Sequence, residues 1–541
     1  VERGSGGERP ASAFARALRI LRPSHSHTAY TATILLMGSA MLSRVIGLVR
    51  VKYIAVAFGK GSEADAFLAA FTLPDMISYF LAGGAISITF VTMLTKYRDT
   101  GREEDGDRAL SVILSTMLLV MGAAILIAEI VAPWYTRFFF QFDEKTAALC
   151  THLTRILLPA QLCFFASGVC GAVLLVRKQF YAQAVTPLIY NLGTILGGVL
   201  LARKLGISSL AYGTVAGALA GPFLVNFYGA RRVGMRFRFA LDWQNEGLRE
   251  WVRLSIPLML GVTVVSTDSW IIYHFASLDK GAVSVMTYAK QLFTAPMAVL
   301  AQAAGAASMP FFANLWAQKR QYAFATEVAD SVSRVAALGL LAASGMMALA
   351  VPAVDLVMRG GRYSPADTRQ TAVYFAIFSV TLFLWSAQAI YARAFYAAGN
   401  TRTPLTAGTI VTLVSLPVYA LLNHWLGVGG LAVASDIGIT VQTVTLAVLL
   451  HKRRMVSLAS LDYRELGRCL AAGAAGGVAA WAVAAGIGHV LHAETRWGDA
   501  VELLAGSVVW LAVAGLLMHS LGSALPRAMM RRLGMGRLLA R

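Results

Sequence analysis

The stretch Ser43–Pro74, SRVIGLVRVKYIAVAFGKGSEADAFLAAFTLP, decides how the chain is read. Its pattern predicts a membrane-spanning helix, a short Gly-rich turn and the start of a second spanning helix. Arg44, Arg50 and Lys52 fall in the first helix, and Asp65 sits at the mouth of the second. An arginine inside an apolar helix costs about 2.5–3.5 kcal/mol at the bilayer centre, so such a residue faces a water-filled cavity or an anionic partner. Arg44 and Arg50 are six positions apart, which puts them within ~120° of each other around a helix. Both therefore reach one broad cavity. Lys52 is read equally well as snorkelling to an interface.

Composition agrees with a chain built for lipid. Hydrophobic residues make up 57% of the 541 and charged residues only 14%, where soluble domains carry about 25%. Apolar runs long enough to cross a bilayer recur throughout. They are continuous rather than alternating, which excludes a β-barrel. The fold class expected is an all-α polytopic membrane protein. The formal charge of +19 does not call for nucleic acid, because the basic residues gather in alternate loops, as membrane topology requires. Cys163 and Cys170 lie two helical turns apart, a rise of ~10 Å that no disulfide bridges.

Spanning segments are expected near residues 31–58, 66–95, 109–133, 149–176, 183–203, 208–229, 252–276, 284–313, 328–358, 369–399, 403–424, 428–451, 466–490 and 500–520, about fourteen in all. Residues 1–28 hold five arginines with Gly, Ser and Pro and no apolar core, and read as a disordered cytoplasmic arm. Basic loops at Arg231–Arg238, His451–Arg454 and Pro526–Arg532 predict an N-in, C-in topology. The loop Arg359–Arg369, RGGRYSPADTR, runs against that rule. The connector 230–251 is basic and amphipathic and is expected on the cytoplasmic surface.

The chain repeats itself. AFTLP at Ala70–Pro74 returns as LFTAP at Leu292–Pro296, and LGISSLA at Leu205–Ala211 returns as LGVGGLA at Leu426–Ala432. FYAQAVTP at Phe180–Pro187 returns as FYAAGNTRTP at Phe395–Pro404. The displacement is about 220 residues and covers six helices, an even number, so the copies cross in the same direction as parallel repeats. The organisation expected is an N-lobe at 29–229, the linker 230–251, a C-lobe at 252–451, an added helix pair at 452–520 and a basic cytoplasmic tail at 521–541. Transporters of this plan bind substrate between their lobes.

No Walker A sequence, HExxH or Cys/His cluster is present, and no enzymatic activity is expected. The informative residues are the intramembrane charges: Arg44, Arg50, Lys52, Asp65 and Asp75 in the first half, Asp268, Lys290 and Asp436 in the second. A cavity lined by arginine and lysine suits phosphate, since arginine clamps its oxygens with two parallel hydrogen bonds and lysine acts as a point charge. For Arg44 and Arg50, cavity lining is preferred over structural pairing. Asp65 reads as a gate, or as an ion pair or helix cap near the outer interface. Asp268, in VVSTDSWII, is a candidate for cation or proton coupling with Ser266 or Thr267; the alternative is a hydrogen-bonded packing residue. Gly83, Gly84, Gly193, Gly197 and Gly198 read as positions that let helices pack closely or bend.

SRVIGLVR followed by ADAFLAAFTLP resembles the opening of the MurJ family of lipid II flippases in the MOP exporter superfamily, and ARAFYAAGNTRTP (Ala392–Pro404) resembles that family's hallmark between its tenth and eleventh helices. The resemblance runs from about Ala40 to the C-terminus. It implies two six-helix lobes around a cationic cavity, two further helices beside a groove for a lipid tail, and translocation of lipid II, the undecaprenyl-pyrophosphate-linked peptidoglycan precursor, by alternating access. It implies that Arg44 and Arg50 are the family's first-helix arginines, Ala55 its small residue there, Asp65 the aspartate opening the second helix and Ser284 a serine before the eighth. Three charged family positions are replaced, by Ser78, Gly83 and Gln291, with Thr294 nearby. Lys290, one residue before Gln291, points ~100° away around the helix and is the candidate substitute.

The substrate-binding set expected is therefore Arg44, Arg50, Lys290, Asp65, Ser284 and Ala55. No cofactor or metal is expected, only coupling to the membrane potential or a cation gradient. The partners implied are the lipid-linked precursor, membrane lipids and cell-wall synthesis proteins, in a bacterial inner membrane. The alternatives are a flippase for O-antigen or exopolysaccharide precursors, a cation-coupled drug exporter, and a degenerate cell-wall scaffold that transports nothing.

Overall fold

The computed structural model describes residues 29–81, 85–491, 496–523 and 525–526. The arm 1–28, Gly83, Gly84 and most of the basic tail lie outside them. The first stretch runs through α1 (Ala29–Phe58), α2 (Ser62–Ala69), α3 (Thr72–Leu81) and α4 (Ala85–Asp99). Next come α5 (Glu103–Phe139), α6 (Glu144–Leu157), α7 (Ala160–Val176), α8 (Tyr181–Leu205), α9 (Ser208–Ala218) and α10 (Asn226–Arg232). The rest forms α11 (Glu246–Ala276), α12 (Ala282–Met297), α13 (Ala304–Ala317), α14 (Gln321–Ala348), α15 (Ala350–Met358), α16 (Pro365–Val380) and α17 (Leu382–Ala397). The last four are α18 (Arg402–Leu426), α19 (Val428–Lys452), α20 (Tyr463–Leu491) and α21 (Arg496–Ser520).

Among the described residues, nine helices are long and apolar enough to cross a membrane, and α16 with α17, bent by 43°, makes a tenth when taken as one span. Nine or ten spans meet this measure rather than the fourteen expected, and several of the expected stretches are interrupted helices. One breaks between α2 and α3, and another carries a π-helical turn at Ala298–Ala303.

The chain divides into two compact units. The first holds residues up to Tyr53 together with Ala66–Thr263. Its core gathers Phe90, Ile113, Val169 and Trp251 from α4, α5, α7 and α11. The Ser39 hydroxyl of α1 donates to the Ala184 carbonyl of α8, and the Asn191 amide donates to Ser43 Oγ at 3.4 Å. Gly193 and Gly197 of α8 meet Gly217 and Gly213 of α9 so closely that a Cβ on Gly197 would lie 2.4 Å from the Gly213 Cα. In lipid, where apolar side chains gain little by leaving their solvent, this close approach of backbones is what binds two helices.

After α10 the connector is extended, not helical. Met235 is buried while Arg236 and Arg238 are exposed, so its amphipathy has the period of a strand. The Arg238 and Ala240 amides donate to the hydroxyls of Ser111 and Ser115, one turn apart on α5.

The second unit holds Val264–Arg541 together with Ile54–Asp65. A segment expected within the first lobe therefore packs with the second half of the chain. Phe312, Phe324, Ile390, Phe395 and Leu446 form its largest core. The added pair α20 and α21 docks on α14 through Ala337, Leu341, Cys469, Ala472 and Ala514, and Trp510 Nε1 donates to Ser344 Oγ at 3.0 Å.

The repeat is visible in the backbone. Left-handed residues recur in pairs about 220 positions apart: Gly59 and Gly281, Gly101 and Lys319, Lys178 and Gly399, Gly206 and Gly427, Gly234 and Arg454. Three of the five pairs place a bulky residue opposite a glycine. The turn geometry has persisted where the residue type has not, which is why motif matching finds only part of the repeat.

The close glycine contact yields a stability prediction. Gly197→Val is expected to destabilise the first unit by about 1–3 kcal/mol, the usual cost of overpacking. Thermal unfolding in detergent will show this as a lowered midpoint. Gly467→Ala, where a Cβ meets open space, will leave the midpoint unchanged.

Candidate functional site

Each unit carries a polar cavity among its helices. In the first, α3, α6, α7, α8 and α9 enclose about 280 Å³. Asp75 and Ser78 of α3, Gln161 of α7 and Tyr190 of α8 supply its polar lining, and Phe71 and Phe164 supply aromatic walls. Arg50 of α1 lies within electrostatic reach of the Tyr190 hydroxyl. Arg50 thus stands at the edge of this cavity. Ser78, which replaces a family arginine, lines the same space. Arg44, two turns earlier on α1, is exposed.

In the second unit a cavity of about 160 Å³ is lined by Ser269, Tyr273, Thr287, Lys290, Gln291 and Thr294. Lys290 is held there. Its ammonium donates to Asp268 Oδ2 at 2.5 Å and to Ser269 Oγ at 3.2 Å. Asp268 also accepts from the Tyr419 hydroxyl and, at 3.3 Å, from Ser435 Oγ. Four helices, α11, α12, α18 and α19, converge on this carboxylate. Asp268 was expected to hold a cation or proton; the cation beside it here is the chain's own lysine. Nearby, Asp436 accepts from Thr381 Oγ1 at 2.6 Å.

Asp65, Ser284 and Ala55 form a different arrangement. All three are fully buried. Asp65 Oδ2 accepts from the Gly281 amide at 2.5 Å and Oδ1 from the Ser284 amide at 2.7 Å. The Ser284 hydroxyl turns back to the Gly281 carbonyl at 3.0 Å. Asp65 is thus a capping group at the start of α12, a helix more than two hundred residues away in sequence. A carboxylate is well placed there, because the first N–H groups of a helix lack partners and its N-terminus carries partial positive charge. The Tyr288 hydroxyl adds a bond to the Gly59 carbonyl at 3.2 Å, and the Arg362 amide bonds the Val56 carbonyl at 2.9 Å.

Two arginines of the loop RGGRYSPADTR are paired where they lie. Arg359 pairs with Asp355 at 2.6 Å and with Asp499 at 3.7 Å, and Arg362 pairs with Glu63 at 3.4 Å. Arg359 and Arg362 thus each have an acidic partner close by. Among the described residues no cluster of His, Cys, Asp or Glu has the makings of a metal site.

Tyr190 and Tyr419 were not singled out by the sequence, yet each lies within reach of a charged group. Both follow an in-helix proline, Pro187 or Pro417, by two or three positions. A tyrosine in that place, in corresponding helices of a repeated chain, is the signal that was available.

Comparison with known proteins places this arrangement in a family. A family model described as lipid II flippase MurJ matches residues 54–498. This chain belongs to the MurJ family. A Vibrio cholerae protein named probable lipid II flippase MurJ is 26% identical over 462 residues, covering 82% of this chain and 86% of that one. A Burkholderia cenocepacia protein named lipid II flippase MurJ is 27% identical over 440 residues, covering 78% and 84%. The solved structure of a lipid II flippase MurJ in an inward closed conformation superposes with a TM-score of 0.75, at 20% identity over 90% of this chain and 99% of that one. An inward-facing multidrug resistance MATE family transporter of the MOP superfamily superposes at 0.64, with 15% identity over 78% of this chain and 98% of that one. The MurJ and MATE likenesses establish the fold; family membership rests on the sequence.

The cap on α12 gives a prediction. Asp65→Ala removes both acceptors and is expected to destabilise the second unit by about 1–2 kcal/mol. Asp65→Asn keeps one carbonyl acceptor and will lose less. Thermal unfolding of the purified variants orders them as wild type, Asn, Ala.

Proposed function

We propose that this chain is a multi-pass inner-membrane flippase that carries lipid II from one leaflet to the other. The observation that carries the reading is family membership across residues 54–498. Two features of the molecule support it. Arg50 stands at the edge of the first unit's cavity, and Lys290 lines the second unit's. Cations in water-accessible hollows of an apolar chain suit a diphosphate.

In this reading Arg50 and Arg44 engage the diphosphate, and Lys290 joins them on leaving Asp268. Asp65, Ser284 and Ala55 act together as a latch, since a carboxylate that caps α12 releases it when the contact opens. The undecaprenyl tail stays in lipid beside α20 and α21. The lobes 29–229 and 252–451 alternate between two accessible states, driven by the membrane potential or a cation gradient. Both termini face the cytoplasm, with cell-wall synthesis proteins as neighbours there or outside. Ser78 and Gln291, neutral where the family carries arginine, leave fewer cations for the headgroup. A related polyprenyl-linked glycan is the second reading that this deficit favours.

Cells depleted of their own lipid II flippase test it. The wild-type chain is expected to restore growth, Arg50→Ala to fail, and Arg50→Lys to rescue weakly, because a point charge cannot form the paired bonds of a guanidinium. Undiminished rescue by Arg50→Ala, in protein present at normal levels, counts against the role given to this residue. Rescue of an O-antigen flippase mutant instead would move the substrate to the second reading.

Orientation has its own check. A cysteine at Arg238 should react with a membrane-impermeant maleimide only when the cytoplasmic face is open to it. One at Glu144 should react from outside intact cells.

A further inference from the structure

The first unit contains a half-buried acid that the flippase reading does not use. Asp75 lies one turn into α3 and lines the 280 Å³ cavity. Among the described residues no hydrogen bond or ion pair reaches that carboxyl. Asp65 has two amide donors, Asp268 has a lysine, a tyrosine and a serine, and Asp436 has a threonine. Asp75 lines a hollow of about 280 Å³, roomy enough to admit water.

The groups that face it are few. Its own helix offers Ser78 and Tyr79. On α5 the Tyr135 hydroxyl is turned to Met76 Sδ at 3.7 Å. The end of α6 and the start of α7 bring Leu157 and Gln161, and α9 brings Thr214, all uncharged. From α8 comes Tyr190, within electrostatic reach of Asp75 and of Arg50 of α1. Arg50 is the charged member of this set.

We infer that Asp75 is a proton-binding group of the first unit, and that taking up its proton favours an anion at Arg50 through Tyr190. An isolated carboxylate in a largely apolar enclosure is costly, and taking up a proton relieves the cost. When the acid gives its proton to cavity water, the carboxylate draws the Tyr190 O–H toward itself. That polarises the phenol and makes its oxygen a stronger acceptor, since linked hydrogen bonds reinforce one another. Arg50 is then held at Tyr190. When Asp75 is protonated the phenol relaxes and Arg50 is available to phosphate oxygens. Proton and diphosphate therefore bind together. The link to the anion rests on the role proposed above for Arg50; the proton site does not.

Infrared difference spectroscopy tests the site on the full chain in liposomes. Stepping the pH should remove the carbonyl stretch of a protonated carboxylic acid, and Asp75→Asn should abolish that band. Asp75→Glu, which keeps the acid, should shift it rather than lose it, and shows that the unit folds with a changed residue there. A band that survives in Asp75→Asn, or its absence from the wild type, overturns the proposal.

Calorimetric titration with inorganic pyrophosphate tests the coupling. Above the transition, wild-type affinity should fall about tenfold per pH unit relative to Asp75→Asn, the dependence of one linked proton. Equal pH dependence in the two proteins overturns the coupling. If neither protein binds pyrophosphate while the infrared band behaves as expected, the proton site stands and the diphosphate role of Arg50 falls.

Discussion

A charge that enters a low-dielectric span must find a partner there, and this requirement organises the protein. Asp65 finds two backbone amides at the start of α12. Asp268 finds Lys290 and two hydroxyls. Arg359 sits between Asp355 and Asp499, and Arg50 lies within electrostatic reach of Tyr190. The cost of an unpaired charge is several kcal/mol, more than any one apolar contact returns, so these pairings fix which helices meet. Four helices meet at Asp268, and the start of α12 is anchored by Asp65 of α2.

That anchoring also explains the division of the chain. The segment Ile54–Asp65 packs with the second unit because its contacts are there: the Asp65 cap, the Gly59 carbonyl under Tyr288 and the Val56 carbonyl under Arg362. α1 therefore begins in one unit and ends in the other.

The helices were legible in the sequence because hydropathy in lipid is a strong and nearly sufficient signal. The bounds expected for the fifth, sixth, eleventh and twelfth spans fall within a few residues of α8, the α9–α10 stretch, α18 and α19. The repeat was legible where side chains recur, and partly hidden where only the turn recurs, as at Lys178 and Gly399. Partnerships were harder to read. Nothing in the order of residues says that Asp65 will cap a helix starting at Ala282, or that Lys290 will turn to Asp268, because both contacts are made across long separations. Tyr190 and Tyr419 escaped notice since an aromatic in an apolar run reads as packing. The connector's amphipathy was legible but its conformation was not: residues 235–242 are non-helical.

The molecule joins a MOP-type scaffold to a sparse set of cations, with Lys290 and Arg359 held by acidic neighbours. The central claim is movement of lipid II, and the direct measurement is transport by the purified chain alone. In proteoliposomes loaded with fluorescently labelled lipid II, the account predicts that label in the inner leaflet becomes accessible to an external quencher at a rate set by the protein, well above that of empty vesicles. Label that stays protected at the empty-vesicle rate, with correctly inserted and folded protein, would contradict it.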